Sequence, residues 1–170
     1  MCHPARDAET TITVDASDTA MGGQLEQKLD GVFKPIAFFS KKLSTAEKKY
    51  SAFDRELLGI YSAIKHFRHF VEGRSFVVYT DHKPLTTALA SLVERSPRQT
   101  WHLSFIAEFT SDIRHVKGVD NGVADALSRV DAVAVADVID LQELLGRSET
   151  TNENILNRYI YDHVSTKVNI

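Results

Sequence analysis

The alternation of apolar and polar positions over the first 130 residues predicts a mixed order of strands and helices. The β-branched run at 10–16 (TTITVDA) reads as a strand that ends beside an aspartate, Asp15. Residues 22–29 (GGQLEQKL) read as a second strand, Asp30-Gly31 as a hairpin turn, and residues 35–40 (PIAFFS) as a third strand. Ser44-Thr45-Ala46-Glu47 has the form of a capping box. Apolar residues then recur at Tyr50, Phe53, Leu57, Ile60, Ile64, Phe67 and Val71, in steps of three and four, and Gly73 follows. This spacing predicts one long helix over about 45–72. Gly59 costs a helix interior about 1 kcal/mol relative to alanine, so another backbone is expected to approach there. Glu56 lies at the edge of the apolar stripe. Phe76-Val77-Val78-Tyr79 predicts a strand buried on both faces that delivers Asp81 at its end. Residues 84–92 suit a short helix with Pro84 in its first turn. Ser96-Pro97 reads as N-cap and first residue of a helix running to Phe109, with Trp101, Phe105, Ile106 and Phe109 as its apolar side. A fifth strand is expected at 112–117, a turn at 118–121 and a last short helix at 122–130. Beyond Asp131 the pattern loosens into an amphipathic stretch (VAVADVIDLQELLG), a polar linker (SETTNEN) and one more helical run.

A chain of 170 residues sets the expectation of one domain. Residues 1–10, with Cys2 and His3, are expected to be a linker or disordered, residues 11–130 the domain, and 131–170 a partly helical acidic connector. There is a single cysteine, Cys2, so no intrachain disulfide can form. No apolar run approaches the ~18 residues of a membrane span, and the N-terminus lacks the apolar core of a signal peptide. The expectation is a soluble, intracellular chain. Of 20 basic and 23 acidic side chains, residues 131–170 hold three and seven, leaving 17 and 16 for residues 1–130. The tail is acidic, and the body shows no linear signature of a stand-alone nucleic-acid binder.

A strand beside the first, reached through a helix, must lie parallel to it, because such crossovers are right-handed. Asp15 and Asp81 would then share the carboxyl-terminal edge of neighbouring strands, where open α/β sheets place their sites. Each acidic residue alone has an ordinary structural role: Asp15 and Asp81 as caps, Glu56 as a solvated helix residue, Asp125 as a helix-dipole partner. Together they repel, and a divalent cation reverses that sign. Glu56 on the crossover helix and Asp125 on the last helix can reach the same point. Four carboxylates without thiols suit magnesium or manganese. Two such ions about 4 Å apart serve in-line phosphodiester hydrolysis.

TVDAS (13–17), PIAFFSKKLSTAEKKYSAFDRELLGIYSAIKHFRHFVEG (35–73), YTDHKPL (79–85) and RHVKGVDNGVADALSR (114–129) resemble the ribonuclease H domain of gypsy-type LTR retrotransposon reverse transcriptases, over about 11–130. The resemblance implies an α/β RNase H-like fold, with a five-stranded mixed sheet (three antiparallel strands, then two parallel) flanked by helices. It implies an endonuclease that hydrolyses the RNA strand of RNA–DNA hybrids with two divalent ions, Mg2+ or Mn2+. Asp15 would bridge both ions, Asp81 would hold the ion that activates water, and Glu56 and Asp125 would hold the second. It further implies contact of Ser17 with the RNA strand. His82 and Lys83 are candidates for substrate contact, and Arg55, Arg98 and Lys117 for phosphate contact, whereas Trp101 is expected in the core. The implied partners are the polymerase domain and the integrase of a Pol polyprotein, with cytoplasmic or virus-like-particle location and no membrane. Related enzymes carry a histidine on a loop before the last aspartate, but His115 here falls in a predicted strand, as expected for gypsy-type domains that lack the loop. Two other readings are a catalytically silent remnant serving as an interaction module, and a transposase or integrase of the same fold. The latter class places its glutamate on a later helix, so the position of Glu56 favours ribonuclease H.

Overall fold

In a computed structural model, the described residues 7–91 and 93–129 build one mixed sheet and its helices. The strands are β1 (Thr10–Ala16), β2 (Ala20–Leu29), β3 (Val32–Lys42), β4 (Phe76–Thr80) and β5 (Ile113–His115), in the spatial order β3-β2-β1-β4-β5. The first three pair antiparallel, and β1–β4 and β4–β5 are parallel, as the crossover rule requires. The helices are α1 (Ala52–His66), α2 (Arg68–Val71), α3 (Pro97–Phe109) and α4 (Gly122–Arg129). The expectations for residues 1–6 and for the acidic tail lie outside the described residues. Among the described residues no helix is long and apolar enough to cross a membrane.

Local chemistry explains most boundaries. Asp30 and Gly31 both have positive φ (54° and 82°), which a two-residue hairpin of the primed type demands. β3 is longer than the six residues expected. It sits at the sheet edge and carries an irregularity where Leu25 pairs with Ala37 but Glu26 with Pro35. Proline donates nothing to a ladder, so it is tolerated at such a place. In β4 the side chains of Phe76, Val78 and Thr80 are buried, whereas Val77 and Tyr79 are half-buried. The strand is thus fully covered on one face only, not on both.

The single helix expected over 45–72 is three pieces. Ser44 and Glu47 do form the reciprocal pair of hydrogen bonds, but only one 3-10 turn follows, Glu47–Lys49. Tyr50 then turns extended (ψ 152°), and Ser51 starts α1 afresh by accepting from the Asp54 N–H at 3.1 Å. A second break at Phe67 (ψ 9°) separates the single-turn α2. The apolar positions stay in step across both breaks: Leu57, Ile60, Ile64 and Phe67 are fully buried, together with Ile12 and Val14 of β1 and Val78 of β4. At Gly59 the close neighbours are side chains, not backbone, since a Cβ there would lie 3.1 Å from Val14 Cγ1.

The segment at Pro84 forms a 3-10 turn, Lys83–Thr87, instead of an α-helix. α3 starts as the sequence indicates, with Ser96 and Gln99 in a capping box. Its buried residues are His102, Leu103 and Ile106, and Trp101 is 57% exposed, contrary to the core position expected for it. Two residues from Leu103 on a helix is nearly the opposite side, so the indole stays outside, 5.1 Å from the Tyr61 ring.

α4 lies against β2 at backbone distance. A Cβ on Gly22 would fall 2.6 Å from Leu127 Cβ, 2.6 Å from the Ser128 nitrogen and 2.7 Å from the Ala124 oxygen. Gly22→Ala is therefore expected to push the helix off the sheet and to lower stability by about 1–3 kcal/mol, the usual range for overpacking. Urea denaturation checks this, and an unchanged midpoint would show that the helix can shift without loss.

Candidate metal centre

β1 and β4 run side by side with Val14 paired to Thr80, so the next residue on each strand, Asp15 and Asp81, emerges at the same sheet edge. α1 lies across β1 and brings Glu56 to the same point. One carboxylate oxygen from each of Asp15, Glu56 and Asp81 lies within 4.8 Å of the other two. Asp15 (8% exposed) and Glu56 (5%) are buried, and Asp81 faces solvent.

The hydrogen bonds to the buried pair come from neutral donors. The Ala16 N–H donates to Glu56 Oε1 at 3.0 Å, and the Thr80 hydroxyl donates to Oε2 at 3.3 Å while accepting from the His82 N–H at 3.1 Å. Ser128 Oγ lies 2.5 Å from Asp15 Oδ2. Burial, reinforced by the charge of Asp15, pushes Glu56 from 4.5 to about 8. Burial also raises Asp15; the Ser128 hydroxyl opposes that rise, and the charges of Asp81 and Asp125 add to it. Oxygen donors crowded together under mutual repulsion are the chemistry that a hard divalent cation relieves, so these residues fit such an ion.

The structure does not bring the fourth expected carboxylate into that group. Asp125 sits half-exposed on α4, and its Oδ1 accepts from Arg129 Nε at 2.8 Å and Nη2 at 2.6 Å. It still acts on Asp15 by its charge. His115 ends β5, in a strand as expected, exposed and paired with Thr80.

The remaining predicted contacts are spread around this edge. Ser17 spends its hydroxyl inside the fold, 2.7 Å from the Ser128 carbonyl oxygen and 3.1 Å from that of Ala20. Arg55 donates to the Tyr50 carbonyl at 2.9 Å and to Asp18 at 2.6 Å. Arg98 lies 3.9 Å over the Tyr50 ring and 3.5 Å from Asp54. His82 meets the Phe53 ring edge-on at 5.9 Å, and Lys83 and Lys117 are exposed. Burial lowers His82, against the pull of Asp81.

Sequence reasoning missed the residues that anchor α4 to the sheet beside the centre. Asn121 is buried and donates from Nδ2 to the Val14 carbonyl at 3.2 Å, tying the start of α4 to β1 next to Asp15. Ser40 donates to the Leu127 carbonyl at 2.8 Å, and Ser128 lies on the Asp15 carboxylate. Small polar residues carry no periodic signal. Only the tight run of VADALSR behind Asp125 marked the place.

The family described as the RNase H-like domain found in reverse transcriptase matches residues 5–109. The chain is 38% identical over 136 residues to the retrovirus-related Pol polyprotein from transposon 412 of Drosophila melanogaster, covering 80% of this chain and 11% of that protein. It is 39% identical over 128 residues to the counterpart from Drosophila transposon 297 (75% and 12%). It is 36% identical over 124 residues to the Tf2-3 transposon polyprotein of Schizosaccharomyces pombe (70% and 9%). The chain thus spans only 9 to 12% of the length of these relatives. Among solved structures, the N-terminal RNase H domain of a Mycobacterium tuberculosis protein superposes with TM-score 0.55 at 14% identity, covering 78% of this chain and 99% of that domain. A foamy viral protease–reverse transcriptase in complex with double-stranded DNA gives 0.54 at 17%, covering 67% and 22%. At such identities these two establish the fold alone.

The raised Glu56 sets a pH dependence for the metal-free chain. Near neutral pH the folded protein keeps a proton on Glu56 that the unfolded chain, with its value at 4.5, has released. Stability contributed in this way is complete below 4.5 and is lost as pH rises through about 8. His66, His82 and His102, lowered by burial from 6.5, slope the other way but finish titrating by that pH. In chelator, the melting temperature should therefore fall by several degrees between pH 6.5 and 8.5, and Glu56→Gln should flatten the curve. A wild-type curve that is flat or rising in that window would show that Glu56 ionises normally.

Proposed function

Because the chain belongs to the RNase H-like domains found in reverse transcriptases, in the form carried by retrotransposon Pol polyproteins, we propose that it is a gypsy-type ribonuclease H that hydrolyses the RNA strand of RNA–DNA hybrids. The observation that carries this reading is the convergence of Asp15, Glu56 and Asp81 from β1, α1 and the end of β4 on one solvent-accessible edge. Divalent ions, magnesium or manganese, when bound there supply the positive charge and the acidified water that phosphodiester hydrolysis uses.

The chain's own residues prepare that edge. Asp15 and Glu56 are the ligands fixed by hydrogen bonds, and Asp81 is the one turned to solvent, on the side from which a phosphate arrives. Asp125 is the fourth ligand, and its side chain must leave Arg129 to join the others. Glu56 exchanges its proton for the ion, so loading is favoured at higher pH. His115, exposed and on a strand, takes no part.

Lysines also end at this edge, one of them, Lys41, paired with Glu47 at 3.6 Å. Met21 pairs with Ala16 on one side and with Lys41 on the other, so Lys41 and Lys42 end β3 at the same sheet edge as Asp15. Lys48 and Lys49 stand exposed on the next turn. Cations there suit the phosphates of a duplex, and the 2′-hydroxyls mark which strand is RNA. In the parent polyprotein the polymerase part would hold the hybrid and raise its concentration at this site, with the integrase further along the same chain. The place of action is the cytoplasm or a particle within it.

The test is incubation with an end-labelled RNA–DNA hybrid, with magnesium or manganese and with chelator. Cleavage of the RNA strand should require the ion, and a DNA duplex should stay intact. Asp81→Asn should abolish cleavage and leave the melting temperature unchanged or higher, since a repulsion is removed. Cleavage in chelator, or by Asp81→Asn at the wild-type rate, would falsify the assignment. His115→Gln should retain turnover within about tenfold, whereas loss of a proton-transfer group costs about 10²-fold or more. A loss of that size would make His115 part of the chemistry.

A further inference from the structure

α4 contributes more to the centre than the carboxylate it carries. Ser128 is fully buried, and its Oγ lies 2.5 Å from Asp15 Oδ2 and 2.8 Å from the carbonyl oxygen of Asp125. A serine hydroxyl has one hydrogen, and the carbonyl can only accept. Of the two acceptors the ionised carboxylate is the stronger, so the hydrogen goes to Asp15 when Asp15 is charged. The backbone of Ser128 is held in place as well. Its nitrogen packs on Gly22, and its carbonyl accepts from the Ser17 hydroxyl at 2.7 Å. Ser17 is in turn fixed by the Ala20 N–H, which donates to its hydroxyl at 3.1 Å.

We propose that Ser128 is a positioning residue for the divalent-ion site. Its hydroxyl locks one oxygen of the Asp15 carboxylate to α4, and so fixes both the rotation of that ligand and its register with Asp125 on the same helix. This rests on the ion-binding reading of the carboxylate group. Partners behind metal ligands commonly change metal affinity by about 10–100-fold when removed. A control separates this role from simple anchoring. Ser40 ties the same end of α4 to the sheet through the Leu127 carbonyl, but the hydrogen bond reaches no carboxylate.

The experiment is Mn2+ binding to the full chain without nucleic acid, read by the loss of the free-ion electron paramagnetic resonance signal and by titration calorimetry, alongside thermal melts. Ser128→Ala should weaken Mn2+ at least about tenfold. Ser40→Ala should lower the melting temperature but keep Mn2+ affinity within twofold. Ser128→Cys, a weak donor of similar size, should fall between wild type and Ser128→Ala, and it carries the comparison if the alanine variant does not fold. Wild-type affinity in both Ser128 variants, or equal weakening by Ser40→Ala, would overturn the positioning role. Absence of Mn2+ binding by the wild-type chain, or binding untouched by Asp81→Asn, would instead overturn the ion site itself, and the inference with it.

Discussion

The carboxylate edge depends on a helix lying at backbone distance on a strand. α4 reaches β2 over Gly22, the residue paired with Asp15, and no side chain would fit between them. Glycine in a strand sacrifices about 0.5–1 kcal/mol relative to alanine. Hydrogen bonds at both ends of α4 offset that loss, each contributing about 1 kcal/mol net: Asn121 to Val14 at its start, and Ser40 and Ser17 to the Leu127 and Ser128 carbonyls at its end. The hydroxyls of Ser40, on β3, and Ser17, in the turn after β1, thus hold the Leu127 and Ser128 carbonyls of α4. The consequence is chemical. The helix that carries Asp125 also sets Ser128 on Asp15, and a shift of either helix or strand would separate the acidic groups.

Electrostatics runs against the fold at this point. Asp15 and Glu56 are buried near Asp81 with neutral donors, and their affinity for protons rises accordingly. The hydrophobic body around them, with Ile12, Val14, Leu57, Ile60, Ile64 and Val78 fully buried, holds the strands and α1 in place despite that repulsion. Gly59 contributes here as well. It lets α1 settle onto Val14 and Ala16, and so sets how far Glu56 stands from β1. The site is assembled by packing elsewhere and not by attraction among its own members.

Much of this was legible in the sequence because strong local patterns agreed with the final packing. The meander, the Asp30-Gly31 hairpin, the Ser96 cap of α3 and the delivery of Asp15 and Asp81 to one edge all follow from period, turn chemistry and crossover handedness. The 45–72 segment was misread because its apolar spacing continues through a break. Ser44 and Glu47 close a turn of their own, Ser51 is the N-cap of α1, and between them Tyr50 extends while still packing on the core. Capping fixes where a helix starts, and periodicity does not. Trp101 was misplaced because hydrophobicity is not position: Leu103 and Ile106 define the inward side. Gly22, Asn121 and Ser128 were invisible because their meaning is purely tertiary. The grouping of Lys41 and Lys42 beside the acidic edge was not legible, because a charge total does not show which residues share an edge.

The acidic centre is also divided in a way that bears on how an ion enters it. Glu56 and Asp15 are held by hydrogen bonds in buried surroundings, so their geometry exists before any ligand arrives. Asp81 is exposed, and Asp125 is held by an exposed i,i+4 pair with Arg129, an interaction worth only about 0.3–0.5 kcal/mol. Releasing Asp125 from the guanidinium is therefore a small term beside the attraction of a carboxylate for a divalent cation. Rotating Asp15, by contrast, would break a buried hydrogen bond and leave the Ser128 hydroxyl to the Asp125 carbonyl alone. On the proposed ion-binding reading, the buried half would fix where the charge sits, and the exposed half would close around it with little reorganisation. Hydrolysis of a duplex at an open edge, as proposed, would use that asymmetry: a fully buried centre could not reach a phosphate, and a fully exposed one would not hold its ligands at fixed spacing.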